Sequence, residues 1–170
     1  MTVRPEKPED ILAIRVVNER AFGRSAEADL VDGLRRNGKA ILSLVGEDEG
    51  RVAGHILFSP ALLLNGFELI GVGLAPLAVI PERQNQGIGT MLVKEGLMRL
   101  REEGRPFVVV LGHPHYYPRF GFVPASEFNI KSEYDVADEM FMAMELQEGA
   151  LRDRTGIVRY QPEFNEVRLC

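Results

Sequence analysis

The chain has 170 residues, a length that suits one domain, and its 45% apolar content is ordinary for a soluble globular protein. The formal net charge of −5 argues against a nucleic-acid partner and against an anionic membrane surface. The one cysteine, Cys170, cannot form an internal disulfide. The N-terminus has no apolar h-region, so we expect no signal peptide, and no apolar stretch is long enough for a membrane span. We therefore expect a cytoplasmic protein that binds neither membrane nor nucleic acid, and we predict no metal site.

The first part of the chain predicts a short strand, two helices and a series of strands. The strand is expected at Thr2–Arg4, and Pro8 followed by two acids predicts the first turn of a helix. Ser25 is the expected N-cap of the second helix. Asn65-Gly66 predicts a hairpin turn, because both residues tolerate positive φ. Strands are predicted at Ala40–Val45, Arg51–Phe58, Ala61–Leu64 and Phe67–Ile70.

The central part predicts a strand, a loop, a helix and a second strand. Val72–Ile80 is mostly apolar, Pro81–Gln86 is a loop, and Gly87–Glu103 has helical periodicity. Gly96 lies in the middle of the apolar face of that helix, which predicts a close approach to the sheet. The valine-rich run Phe107–Leu111 predicts a strand buried on both faces. The remaining pattern predicts a turn at His115–Phe120 and strands at Phe122–Val123, Met140–Leu146 and Ile157–Tyr160. Together the predicted elements form a mixed α/β sheet with helices on both faces.

The start of the Gly87–Glu103 helix has the features of an anion site. The first four N–H groups of a helix lack an internal partner, and the helix dipole adds about half a positive charge there. Gly87 and Gly89 remove Cβ atoms that would hold a phosphate away from the backbone, and Arg83 can add a charged contact. We therefore predict that this segment binds the phosphates of a nucleotide-like cofactor through Gln84, Asn85, Gln86, Gly87, Ile88, Gly89 and Thr90.

Two well-known phosphate-binding motifs do not fit this segment. A Rossmann fingerprint requires a third glycine where Leu92 stands, and a P-loop requires a lysine between Gly89 and Thr90. A bare Gly-x-Gly also occurs at ordinary transitions from loop to helix, so the two glycines alone do not prove an anion site.

Flanking motifs make the segment more specific. Gln84-x-x-Gly87-x-Gly89, preceded by Leu77-Ala78-Val79-x-Pro81, resembles the acetyl-CoA-binding motif of the GCN5-related N-acetyltransferases (GNAT). The segment Tyr117-Pro118-Arg119-Phe120-Gly121-Phe122 is similar to a second motif of that family. The run from Leu111 to Tyr117 narrows the resemblance to the YhbS-like bacterial acetyltransferases. The resemblance covers about residues 2–146, which implies a GNAT domain at 1–146 and a C-terminal extension, 147–170, packed on or near it.

The resemblance implies a fold and a cosubstrate. The expected fold is α/β, with a mixed, mostly antiparallel central sheet, helices on both faces, and a splay at a β-bulge. Pantetheine of acetyl-CoA would pair with Leu77, Ala78 and Val79 in the gap between that strand and Phe107–Leu111. Pro76 fits the bulge, because proline cannot donate to a sheet ladder.

The resemblance also implies direct transfer of the acetyl group to an amine. Tyr117 matches the tyrosine that acts as general acid in the family, and the alternative is that it merely packs in the core. We expect its neighbour Tyr116 to face elsewhere. The general base stays open between His55, His113, Glu68 and a chain of waters, because the strand that would carry a glutamate has no carboxylate.

The amine acceptor, a small molecule or a protein, is not identified by the sequence. In this family it is bound by the first two helices and by loops, here those around Asn65-Gly66 and Glu127–Asp138. Because the strand that would carry a glutamate has no carboxylate, one alternative to an acetyltransferase is a non-catalytic acyl-CoA sensor or partner protein. A second alternative is an enzyme that transfers a longer acyl group. The arginine-containing tail from Gly149 to Cys170 either covers the substrate side, forms a subunit contact or presents a solvated charged face, and a homodimer stays open. Acids that either attract a cationic amine or form a solvated surface are Glu127, Glu133, Asp135, Asp138 and Glu139.

Overall fold

The computed structural model describes residues 1–167. None of the helices in this range is long and apolar enough to cross a bilayer. The helices are α1 (Ile11–Phe22), α2 (Ala26–Arg36) and α3 (Ile88–Glu102). The strands are β1 (Thr2–Pro5), β2 (Leu42–Asp48), β3 (Arg51–Leu64), β4 (Glu68–Val79), β5 (Phe107–Leu111), β6 (Val123–Pro124), β7 (Ile130–Ser132), β8 (Phe141–Glu145) and β9 (Gly156–Arg159).

The strands form one sheet in the order β1-β2-β3-β4-β5-β8-β6, and β9 joins it by pairing with β3 and β7. The β4–β5 and β7–β9 pairs are parallel, and the other pairs are antiparallel. The predicted mixed, mostly antiparallel sheet is confirmed. The hairpin at Asn65-Gly66 joins two long strands, β3 and β4, where the sequence pattern predicted four shorter ones.

Helices cover both faces of the sheet, as predicted. Ile14 of α1 and Leu34 of α2 pack in a core with Leu57 on one face. On the other face α3 packs against Phe58, and an ideal Cβ on Gly96 would lie 2.5 Å from Phe58 Cε2. No side chain fits at position 96 with the ring in place, so the predicted close approach of helix and sheet is confirmed.

A bulge in β4 separates it from β5. Two residues of β4, Ala75 and Pro76, lie opposite the single residue Leu57 of β3. β4 and β5 pair only at two positions, the second being Gly73 with Val109. Beyond that pair the two strands diverge, so the expected splay at a β-bulge is confirmed. The functional site lies in this opening.

Three details differ from the sequence-based expectations. Ser25 precedes α2, but its side chain makes no capping hydrogen bond. The three-residue strand β7 was not predicted, since its pairing with β9 joins segments that are distant in sequence. The strand predicted from Ala40 begins only at Leu42.

The segment after residue 146 contributes to the same sheet and core. Val158 of β9 pairs with Leu63 of β3. The side chains of Tyr160 and Phe164 are buried in the same core cluster as these two residues. A boundary between the domain and the extension at residue 146 stays a prediction. Residues 168–170, including Cys170, lie outside the described range.

Candidate active site

A cleft of about 940 Å³ opens where β4 and β5 diverge. One end, which we call the cofactor half, is formed by the bulge of β4 and the start of α3. The other end, the acceptor half, lies at the junction of α1 and α2. The residues that line the cleft are Phe22, Arg24, Glu27, Leu30, Leu74, Ala75, Pro76, Leu77, Val79, Arg83, Gln84, Asn85, Gly87, Ile88, Gly89, Thr90, Leu111, Gly112, His113, Tyr116, Tyr117, Arg119 and Met140.

The loop before α3 is held in place by its own side chains. Gln84 Nε2 donates to the carbonyl oxygen of Val79 at 3.0 Å, and Gln86 Nε2 donates to that of Glu82 at 3.0 Å. Gly87 has φ of 91°, a conformation that favours glycine. The loop therefore delivers the first turn of α3, with its unpaired N–H groups, to the cleft.

Most of the predicted cofactor residues line the cleft, and two do not. Leu77 and Val79 lie on the cleft side of β4, whereas the alternation of the strand turns Ala78 away, where it is buried. Gln86 is turned toward Glu82. Ala78 and Gln86 could therefore contact a cofactor only through their backbone.

Arg83 lines the cofactor half, but its charge is already paired. Its Nε lies 2.9 Å from Asp48 Oδ2, and its Nη2 lies 3.3 Å from Glu49 Oε2. A phosphate contact by Arg83 would require it to leave these two carboxylates.

Tyr116 faces the cleft, so the expectation that it faces elsewhere was wrong. Its hydroxyl lies 3.0 Å from the position that a Cβ on Gly89 would occupy. The guanidinium carbon of Arg119 lies 4.5 Å from the centre of the Tyr116 ring. Adjacent residues of a helical turn can both reach one cleft, which the sequence pattern did not indicate.

Tyr117 is buried and lines the cleft at the same time. Its ring packs edge-on against Phe122, with ring centres 5.7 Å apart, and against Tyr116 at 5.1 Å. An ideal Cβ on Gly112 would lie 2.4 Å from its Cε2, so glycine at 112 makes room for the ring. Burial raises the pKa of Tyr117 well above its ordinary value, which keeps the phenol protonated at neutral pH.

The structure separates the candidate general bases. His55 is fully buried away from the cleft, with Nδ1 3.1 Å from Asn18 Nδ2 and Nε2 2.9 Å from Ser43 Oγ. Burial lowers its pKa to about 3. Glu68 lies at the hairpin end of β4, outside the cleft. His113, directly after β5, is exposed and lines the cleft.

The acceptor half contains residues that the sequence reasoning missed. Glu27 is buried, and both of its carboxylate oxygens accept from Arg24 Nε at 3.0 Å. Phe22, Leu30 and Met140 are apolar residues that line the same cleft. A signal was present in the sequence, because Glu27 falls on the same helical stripe as Leu30, and an acid there is unusual.

The acids at 127–139 do not line this cleft. Three of them, Glu133, Asp135 and Asp138, line a separate cavity of about 600 Å³ formed by Ser126, residues 129–138 and Phe141. Glu133 accepts from the backbone N–H of Tyr160 at 2.6 Å, and Asp138 accepts from Ser126 Oγ at 3.0 Å. These two carboxylates support local structure.

A family model for the GNAT acetyltransferase domain matches residues 2–125 of the chain. YhbS of Escherichia coli strain K12, an N-acetyltransferase, is 40% identical over 166 residues, which are 97% of this chain and 99% of YhbS. The chain belongs to the GNAT acetyltransferase family. The predicted resemblance to YhbS-like proteins is thereby confirmed.

Solved GNAT structures have the same architecture. The structure of Escherichia coli YhbS in complex with CoA superposes with a TM-score of 0.93 and covers 99% of this chain and 94% of that one. A GNAT acetyltransferase of Brucella melitensis in complex with acetyl-CoA has a TM-score of 0.81, at 37% identity over 96% of this chain and 97% of its own. The predicted GNAT fold and N-acetyltransferase activity are therefore confirmed.

Proposed function

We propose that this GNAT enzyme transfers the acetyl group of acetyl-CoA directly to an amine inside the cleft. The observation that carries this proposal is the continuity of the cleft from the cofactor half, through the gap between β4 and β5, to the acceptor half. A thioester in the gap can be reached by an amine from the acceptor half. No cysteine or serine in the described chain lines the cleft, which favours direct transfer over a covalent acyl-enzyme.

Acetyl-CoA is placed along the cofactor half. Beyond Gly73 the edge of β4 that faces β5 has no strand partner, so outward backbone groups there can pair with pantetheine as an added strand would. We assign this role to the segment Leu77, Ala78 and Val79. Its outward groups are those of Leu77 and the N–H of Val79, since Ala78 pairs with His55 of β3 and the Val79 carbonyl accepts from Gln84. The diphosphate takes the N–H groups of residues 84–90, and the CoA and acetyl-CoA complexes of the two relatives support this cosubstrate.

The transfer moves two protons. The ammonium form of the acceptor first loses a proton to a base, its nitrogen attacks the thioester carbonyl carbon, and the C–S bond breaks. The nitrogen then loses its second proton, which restores the acid that protonates the leaving thiolate. We assign Tyr117 as the acid that protonates the leaving thiolate. Desolvation raises the pKa of this phenol, but it raises the pKa of a thiol in the same site as well, so the two groups stay matched for proton transfer.

We assign the first proton transfer to His113, directly or through a water. An imidazole nitrogen can accept a proton, and His113 lines the cleft while His55 does not. Glu27 is the only carboxylate along the described lining, and Arg24 occupies both of its oxygens. Since His113 is exposed, its proton can pass to solvent.

A screen of amines with acetyl-CoA and a free-thiol readout tests the proposed transfer. Thiol release that depends on an amine, with a matching acetylated product, is the expected result. Thermal stabilisation by acetyl-CoA without thiol release on any amine would favour the non-catalytic sensor. Competition between acetyl-CoA and longer acyl-CoAs tests the choice of acyl group.

The role of His113 is tested by His113→Gln, with His115→Gln as the control, because His115 is also exposed but does not line the cleft. We expect kcat/KM of the His113 variant to fall about a hundredfold at pH 7. The deficit should shrink as pH approaches the pKa of the amine, since the acceptor then needs no base. An unchanged pH profile would assign the proton to a water chain.

We also propose that the enzyme works in the cytoplasm, on the basis of its composition. Whether it forms a homodimer is tested by sedimentation of the purified chain.

A further inference from the structure

Arg119 differs from the other arginines of the cleft. Arg24 and Arg83 are each bound by carboxylates. Within residues 1–167, Arg119 has no carboxylate partner: its Nε donates to the carbonyl oxygen of Tyr116 at 2.8 Å and its Nη2 to that of His115 at 3.5 Å. It therefore brings a positive charge to the cleft that no acid in the described chain neutralises.

Tyr116 connects this charge to the cofactor half. Its ring lies between Arg119, which stacks on it at 4.5 Å, and Gly89, whose Cβ position is 3.0 Å from the Tyr116 hydroxyl. Edge-on contacts with Tyr117 at 5.1 Å and Phe120 at 5.4 Å fix the ring. Stacking on a fixed ring holds a guanidinium in one plane, so the fork of Arg119 is pre-arranged beside the start of α3.

We propose that Arg119 binds the 3′-phosphate of CoA. This inference rests on the cofactor placement proposed above, in which backbone N–H groups of residues 84–90 hold the diphosphate. The phosphate monoester on the ribose then lies beyond the diphosphate, toward the rim of the cleft, where Arg119 is exposed. A monoester carries close to two negative charges at pH 7, and its oxygens can accept from the Nη1 and Nη2 hydrogens of Arg119 that the two carbonyls do not use.

A plainer role for Arg119 makes a different prediction. The bond from its Nε to the Tyr116 carbonyl spans three residues and supports the short helical turn Tyr117–Phe120. If that were its whole role, removing the side chain would lower thermal stability without changing which cofactor binds. The preference of the protein for CoA over 3′-dephospho-CoA therefore separates the two roles of Arg119, whereas its thermal stability alone does not.

The experiment is a titration of CoA and 3′-dephospho-CoA by calorimetry against wild type and Arg119→Ala. Arg36→Ala is the control, because Arg36 is exposed and does not line the cleft. We expect wild type to prefer CoA about tenfold, and Arg119→Ala to reduce that preference to about twofold, with Arg119→Lys in between. Arg36→Ala should keep the full preference.

Three results would overturn the proposal. Equal weakening of both ligands by Arg119→Ala would move the contact to the diphosphate. Unchanged affinity for both ligands would leave Arg119 with the turn-supporting role alone, and a wild type that binds both equally would show that the 3′-phosphate is not recognised. Failure of wild type to bind either ligand would instead overturn the cofactor placement itself.

Discussion

The two halves of the cleft are built in different ways. The cofactor half, as defined by the β4 bulge and the start of α3, comes from one contiguous stretch, residues 74–90. Its proposed contacts with pantetheine and diphosphate are backbone groups exposed by a bulge, two glycines and a helix start. The acceptor half is assembled from the end of α1, the start of α2 and Met140, and it presents side chains. A backbone site of this kind is encoded locally, whereas a side-chain site depends on distant elements meeting. The following predictions test this contrast.

The largest expected effect is at Gly87. Nothing lies within 4 Å of an added Cβ there, so the side chain of Gly87→Glu has room, although φ of 91° strains the backbone of a residue other than glycine. The variant places a carboxylate where the diphosphate should sit. We expect CoA affinity to fall more than about 100-fold, or about 2.7 kcal/mol. Calorimetric titration with CoA measures this loss.

Gly104→Glu is the matched control for that variant. Gly104 also has positive φ, 78°, and open space around its Cβ, but it follows the other end of α3, outside the cleft. The two variants carry the same added charge and a similar backbone strain. Equal losses of CoA affinity would assign the effect to the fold, and full affinity in Gly87→Glu would mean that the phosphates bind elsewhere.

Tyr117 lies where the two halves meet, so its substitution should affect the reaction and not cofactor binding. Tyr117→Phe keeps the ring against Gly112, and we expect kcat to fall about a hundredfold with CoA affinity unchanged. Because burial raises the pKa of Tyr117, the wild-type rate should not decline through its ionisation below pH 10. Tyr134→Phe, outside the cleft, serves as control, and an unchanged kcat in Tyr117→Phe would contradict the acid role.

Glu27 tests the acceptor half alone. Glu27→Gln breaks the charge pairing with Arg24 on the acceptor wall, and we expect KM for the amine to rise about tenfold with no change in CoA affinity. Asp29→Asn removes a charge from the same turn of α2, at an exposed position outside the cleft, and should leave both constants unchanged. A loss of CoA affinity in Glu27→Gln would show that the two halves are not independent.

His55 should affect stability and neither half of the cleft. Its pKa in the folded chain is about 3, below the unfolded value near 6.5, so the unfolded chain alone binds a proton between these values. Stability should therefore fall as pH decreases, by about 2 kcal/mol between pH 7 and pH 5 from this residue. Urea unfolding at the two pH values measures it, and His55→Gln should reduce the decrease by that amount. If the free energy of unfolding decreases equally in wild type and in His55→Gln, the pH dependence belongs to other titratable groups.

The sequence predicted most of the fold because long strands and helices carry their own periodicity. The bulge could be predicted from Pro76, and the approach of α3 to the sheet from Gly96, since each residue has a local backbone reason to be there. Strand β7 was missed because its three residues depend on a distant partner.

The site was predictable to a lesser extent. The expected orientation of Tyr116 was wrong because two adjacent residues at a helical turn both reach the cleft. Glu27 was missed because an acid near a helix start usually faces solvent, and only its place on the apolar stripe of α2 indicated otherwise. The base could not be selected before the structure separated His55 from His113.

The most direct test of the account is amide hydrogen exchange with and without CoA. Pairing with pantetheine and diphosphate should slow exchange at Leu77, Val79 and residues 84–90, while the segment 126–138 around the second cavity keeps its rates. Slowed exchange confined to residues 126–138, with the start of α3 unaffected, would contradict the proposed cofactor site.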